Sequence, residues 1–265
     1  MLEMSVLSAS IFGMLLLSCC VFGMAAQPIR DNPEQFLQEH HIAITKQALE
    51  SALWDNDAAV RQTAARVLSS RWPKEAVAPI QEAMLREDIE LVRVSLAGDL
   101  AELGDKAGRE MLKTECHNNE NWGSTRILAA RSLIQLHDDS CLDAVLEVLR
   151  SVSDPQDTLA KVDALNLVPS FIHDSASQEY QSVMDLTLKA LNDPDYGVRL
   201  TTAITLGSLG DRSAIPALQA ALANESDATV RNAMLIEMNR LKRLQQDGSN
   251  RVLCLISRIP KIPVH

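Results

Sequence analysis

Aromatic residues are scarce in this 265-residue chain: three Trp, two Tyr and four Phe. A core cannot rest on so few large rings, so burial has to come from Ala, Leu, Val, Ile and Met, which allow helices to approach closely. Positive charge is also in deficit. Twenty-five Lys and Arg face 35 Asp and Glu, a formal charge of −10. Nonspecific affinity for nucleic acid rests on Lys and Arg displacing counterions, so no nucleic-acid partner is expected. The six His residues (40, 41, 117, 137, 173 and 265) show no recurring spacing, and none is followed by Glu. Gly-rich phosphate loops, a nucleophile elbow and zinc-type Cys/His spacings are missing too. No catalytic, cofactor-binding or metal-ligating residue is therefore assigned, and no cofactor is expected.

A long apolar run occurs at the N-terminus. Val6–Ala26 carries no charge, and its densest part, Ile11–Phe22, has the length of a signal-peptide core rather than of a membrane span. Gly23-Met24-Ala25-Ala26 supplies small residues for cleavage before the polar Gln27-Pro28. Leu16-Leu17-Ser18-Cys19 also resembles the bacterial lipoprotein box, with Cys19 as the acylated residue, although Leu17 is bulky for that motif. Export to a bacterial periplasm or cell envelope is the reading. Acylation at Cys19 and retention as an N-terminal anchor are the alternatives, and the membrane is met only through this segment.

Beyond the leader the cysteines are Cys116, Cys141 and Cys254. If Cys116 ends one second helix and Cys141 begins the next, parallel, one, they lie roughly 15 Å apart at 1.5 Å per residue. A disulfide needs Cα atoms within about 7 Å, so all three are expected to be unpaired.

Asn192–Ala223 (NDPDYGVRLTTAITLGSLGDRSAIPALQAALA) reads as two short amphipathic helices joined by Leu209-Gly210-Asp211. Taking Val198 as the zero position, Arg199, Ala203 and Leu206 fall at plus one, five and eight, one buried helical stripe. The frame recurs as Val60/Arg61/Ala65/Leu68, Val92/Arg93/Ala97/Leu100, Thr125/Arg126/Ala130/Leu133, Leu159/Ala160/Ala164/Leu167 and Val230/Arg231/Leu235/Met238. Successive zero positions lie 32, 33, 34, 39 and 32 residues apart. A near-constant period of this size is the signature of a helical array. Gly104-Asp105 and Gly210-Asp211 punctuate it: Gly takes the left-handed position after one helix and Asp caps the next.

The pattern D-x-x-VR-x-x-AA-x-x-L-x-x-LGD-x-x-A-x-x-A-L resembles the HEAT repeat, in particular the short type of phycobilin lyase-like proteins, over about Ile42–Leu244. The resemblance implies an all-α, armadillo-like solenoid: a right-handed superhelix of about six hairpins whose second helices line the concave side. It also implies that Arg61, Arg93, Arg126, Arg199 and Arg231 form a structural ladder, bridging to Asp57, Asp88, Asp195 and Asp227 or to helix-end carbonyls. The expected organisation is residues 1–26 leader, 27–33 linker, 34–245 array and 246–265 tail, the tail being too broken by Pro260 and Pro263 for a long helix.

Fold does not carry function with it. The reading is an exported, non-catalytic scaffold with an unidentified protein partner on the concave face. Its candidate contacts are Glu82, Arg109, Lys113, Trp122, Glu147, Asp185, Lys189 and Gln219. The alternative is an enzyme related to HEAT-like lyases or metal-dependent hydroxylases.

Overall fold

A computed structural model describes residues 32–151, 157–171 and 178–256, with only the backbone described over 245–256. The leader, Cys19 and the insertion after Phe171 fall outside these residues.

The N-terminal cap is a bent pair, α1 (Pro33–Glu39) and α2 (Lys46–Ala52), turned by His41 at φ 61°. Five hairpins follow: α3 (Ala58–Arg71) with α4 (Pro73–Arg86), α5 (Glu90–Glu102) with α6 (Lys106–His117), α7 (Gly123–Gln135) with α8 (Leu142–Arg150), α9 (Asp157–Phe171) with α10 (Gln178–Ala190), and α11 (Tyr196–Leu209) with α12 (Ile215–Asn224). A 3-10 turn, Arg212–Ala214, leads into α12. The sixth unit is a single long helix, α13 (Ala228–Ile256). Its run past residue 245 corrects the expected tail. The helix passes through Gly248, which costs about 1 kcal/mol. No strand occurs among the described residues. The molecule is an all-α solenoid.

Aspartate carries most of the punctuation. Asp57, Asp105, Asp195 and Asp211 accept hydrogen bonds from the first free N–H groups of the helix or turn that follows each of them. Gly210 ends α11 at φ 70°, a conformation that favours glycine. Close packing takes over at Gly108 on α6, where a methyl group would sit 2.6 Å from Leu100 Cβ and 2.7 Å from the Ala97 carbonyl. Gly108→Ala is therefore expected to push α6 off α5 and cost about 2 kcal/mol, checked by the urea midpoint.

Burial follows the sequence frame with two corrections. In the fourth unit Leu159 is half exposed, whereas Ala160, Ala164, Leu165 and Val168 are buried. The frame there is one residue later than the sequence reading placed it, and plus one is Lys161 rather than Ala160. In the sixth unit Leu235 is exposed and Met234 buried. Plus five faces the next unit, and among the described residues no hairpin follows α13 to cover it.

The first helices stack directly, α3 on α5 on α7 on α9 on α11 on α13. The second helices stand farther apart, and only α8 and α10 pack closely among them. Where first helices meet, Asp99 of α5 is buried with Oδ2 unpartnered, and Arg66 Nε lies 3.8 Å from Oδ1. Burial pushes the Asp99 carboxyl up to about 7, outweighing the opposing pull of Arg66. The folded protein thus holds this proton more tightly than the unfolded chain does. Stability is intact below about pH 4 and is lost as pH rises towards 7. Asp99→Asn should remove that decline, gaining on the order of 2 kcal/mol at pH 8 and little at pH 4. Denaturant midpoints at the two pH values check it, and a gain of equal size at both would contradict it.

Candidate functional site

The recurring arginines come first, because a strip of free cations would dictate an anionic ligand. Arg61 sends Nε and Nη2 to the two carboxylate oxygens of Glu87 at 2.7 and 2.8 Å, while Nη1 donates to the carbonyls of Asp55 and Asn56 at 2.8 and 3.2 Å. Arg199 repeats this with Glu225 at 2.7 and 3.0 Å and with the carbonyls of Asp193 and Pro194, both at 2.9 Å. Arg93 joins Glu115 to the Glu87 carbonyl, and Arg126 joins Glu147 to the Cys116 carbonyl. Arg231 holds the carbonyls of Glu225 and Ser226. In the fourth unit Lys161 pairs with Asp193 at 3.1 Å.

Each arginine binds the end of the preceding unit, and four of the five also bind an acid of their own second helix or its end. The acids differ from those expected. Glu87, Glu115, Glu147 and Glu225 lie within reach because the second helix returns its C-terminal part to the start of the first. Asp57, Asp195 and Asp227 instead turn inward to cap their own helices. The Arg199 guanidinium holds the Glu225 carboxyl below the usual carboxylate range against the opposing effect of burial. The ladder is internal glue between units.

Residues 172–239, from the second helix of the fourth unit through the fifth and into the sixth, match the family profile described as HEAT repeats. The same hairpin recurs through the other units, with an arginine rung in all but the fourth, where Lys161 takes its place. HEAT repeats thus form this part of the chain, and the array continues their pattern. A crystal structure of an engineered protein resembles it at 18% identity over 75% of this chain and 96% of that one; its TM-score of 0.43 is too low to carry an argument. A search of curated proteins gave no significant match.

Across the HEAT array the eight candidate contacts fare differently. Arg109 and Lys113 both point at Asp138, at 3.6 and 3.3 Å, in the loop that leads to α8. Glu147 is the carboxylate of the Arg126 rung, and Glu82 pairs with Arg86 one turn along α4 at 2.9 Å. Asp185 and Lys189 on α10 and Gln219 on α12 are exposed. Trp122 lies at the start of α7 rather than on a second helix and is 58% exposed. Of the polar candidates, Asp185, Lys189 and Gln219 on α10 and α12 are the ones with no internal salt bridge among the described residues.

One expectation is overturned in this region. Cys116 and Cys141 form a disulfide, with Cα atoms 6.1 Å apart. The sequence argument assumed that successive second helices start level. Instead the chain leaves α7 through His137, at φ 57°, and the segment Leu136–Cys141 runs alongside α6. Asp138 meets Arg109 and Lys113, Cys141 meets Cys116, and Asp143 meets His117 at 3.1 Å. Both half-cystines are buried. The His117 imidazole is raised above its ordinary range, chiefly by its bond to the Lys113 carbonyl and also by Asp143. The cross-link ties the second unit to the third.

A second feature of this region lies outside the repeat frame. The loops that enter the first helices expose large apolar side chains at one edge of the array: Trp54 at 48%, Ile89 at 47%, Trp122 at 58% and Tyr196 at 60%. They lie six, three, three and two residues before their zero positions, so no single offset in the frame reveals the row. Between Trp54 and Ile89 the edge opens into a hollow of 320 Å³ whose walls include Asp55, Arg61, Glu87 and Asp88.

Proposed function

We propose that this HEAT array is an exported, non-catalytic scaffold that holds a protein partner on the second-helix face around α10 and α12. The observation that carries the reading is how the array spends its charge. The ladder cations are consumed in joining units, while Asp185, Lys189 and Gln219 stand exposed on α10 and α12, two second helices that do not pack closely on each other. Extended surfaces of stacked repeats commonly serve protein–protein contact. Export is favoured by the apolar leader and by the buried Cys116–Cys141 bridge, since disulfides persist chiefly in oxidising compartments. No described helix is long and apolar enough to cross a membrane.

The test is capture from a native envelope fraction with wild type and with Asp185→Lys/Lys189→Glu, whose exposed side chains make the pair neutral for folding. The same protein should be retained by wild type in repeated captures and reduced at least tenfold by the double variant. Equal retention would reject this face.

A further inference from the structure

We propose that the hollow between Trp54 and Ile89 is a second docking site, distinct from the α10–α12 face, and that it takes an arginine or lysine side chain from an extended basic segment of a partner protein. Three observations converge on a cation. The Trp54 ring already carries one: the Arg86 guanidinium lies 5.6 Å from the ring centroid, tethered by Glu82 at 2.9 Å. Arg86 is itself well exposed, so it lies over the ring without filling the hollow.

The floor offers nothing to an anion, because Arg61 engages Nε and both terminal nitrogens with Glu87 and the carbonyls of Asp55 and Asn56. Glu87 is likewise occupied, by Arg61 and by the Ile89 N–H. Apart from Arg86, which is paired with Glu82 and must be displaced from the ring, what remains at the rim is acceptor and apolar surface. Asp88 is exposed and makes no ion pair among the described residues, Asp55 keeps one carboxylate oxygen beyond its bond to the Asp57 N–H, and Ile89 supplies an apolar wall. An aromatic face, an unpaired carboxylate and an apolar wall match the head and stem of a long basic side chain.

The edge continues in the same style. Trp122 and Tyr196 stand at the starts of later first helices, with Glu120 and Asp195 beside them. An extended chain following this edge would meet further aromatic and acidic positions beyond the hollow. That fits a segment with several basic residues better than one isolated cation.

The experiment titrates a peptide of alternating arginine and serine onto the full chain, following Trp fluorescence and calorimetric heat, with a glutamate–serine peptide as comparison. The arginine peptide should bind and the glutamate peptide should not. Trp54→Ala and Asp88→Lys should each weaken binding at least tenfold. Arg86→Gln should tighten it severalfold by removing the internal competitor. Glu102→Lys makes the same charge change at the far end of α5, about 20 Å away, and should alter affinity less than twofold. Circular dichroism on each variant controls for folding, which an exposed Trp54 and Asp88 do not support. If Glu102→Lys weakens binding as much as Asp88→Lys, or Trp54→Ala leaves it unchanged, the attraction is diffuse and the site is wrong. Asp185→Lys/Lys189→Glu should leave peptide affinity intact, so this proposal and the scaffold reading stand or fall separately.

Discussion

Arg199→Ala is expected to lower the unfolding free energy by about 3 kcal/mol. The substitution strands the Glu225 carboxylate, whose side chain is only 3% exposed, and frees the carbonyls of Asp193 and Pro194 at the junction with the preceding unit. Most of the loss comes from leaving one charge buried without its partner. Its pH dependence follows from the same pair. In the wild type the carboxyl is held low, so the stability it contributes is present above its ordinary pKa of about 4.5 and is lost as pH falls through the lower folded value. In Arg199→Ala the stranded carboxyl escapes by protonation, so the deficit should be full at pH 7 and shrink below about pH 5. Urea midpoints at the two pH values measure it. Adding Glu225→Gln should restore much of the loss at pH 7, and a double variant no better than the single one would show that the pair is not the cause. Glu147 provides the contrast. It is 55% exposed, so Arg126→Ala strands no buried carboxylate and should cost less than Arg199→Ala, about 1 to 2 kcal/mol, although it removes the same kind of rung.

Replacing Cys116 and Cys141 together with alanine is expected to cost about 3 kcal/mol, the effect of releasing a cross-link between residues 25 apart in the chain. Reductant should lower the midpoint of the wild type by a similar amount and leave the double variant unmoved. Alkylation of the denatured chain without reductant should label Cys254 and spare Cys116 and Cys141. Full labelling of all three would restore the unpaired reading.

The array was legible because its units are local. A period of 32 to 39 residues, an arginine after five of the six zero positions and Gly-Asp in two of the turns between helices are all carried on the chain itself. The burial of Val60, Val92, Val198 and Val230 follows from that pattern. The sequence reading slipped where two registers compete. In Leu159-Ala160-Lys161 both Leu159 and Ala160 can serve as zero, and only the packing of Leu165 and Val168 decides for the second. The candidate contacts were harder to place. Arg109 and Lys113 look like outward charges until a loop that begins more than twenty residues later brings Asp138 to them.

Sequence alone determined that this chain is a stack of helical hairpins with small aliphatic seams, since helical periodicity and helix-end chemistry act over a few residues. Tertiary structure decided which carboxylate each ladder arginine holds, that α8 begins beside the end of α6 so that Cys116 meets Cys141, and that Trp54, Ile89, Trp122 and Tyr196 share one edge. These depend on the stagger and spacing of neighbouring helices, set by loop lengths and by how closely positions such as Gly108 let the helices approach, which no single period records.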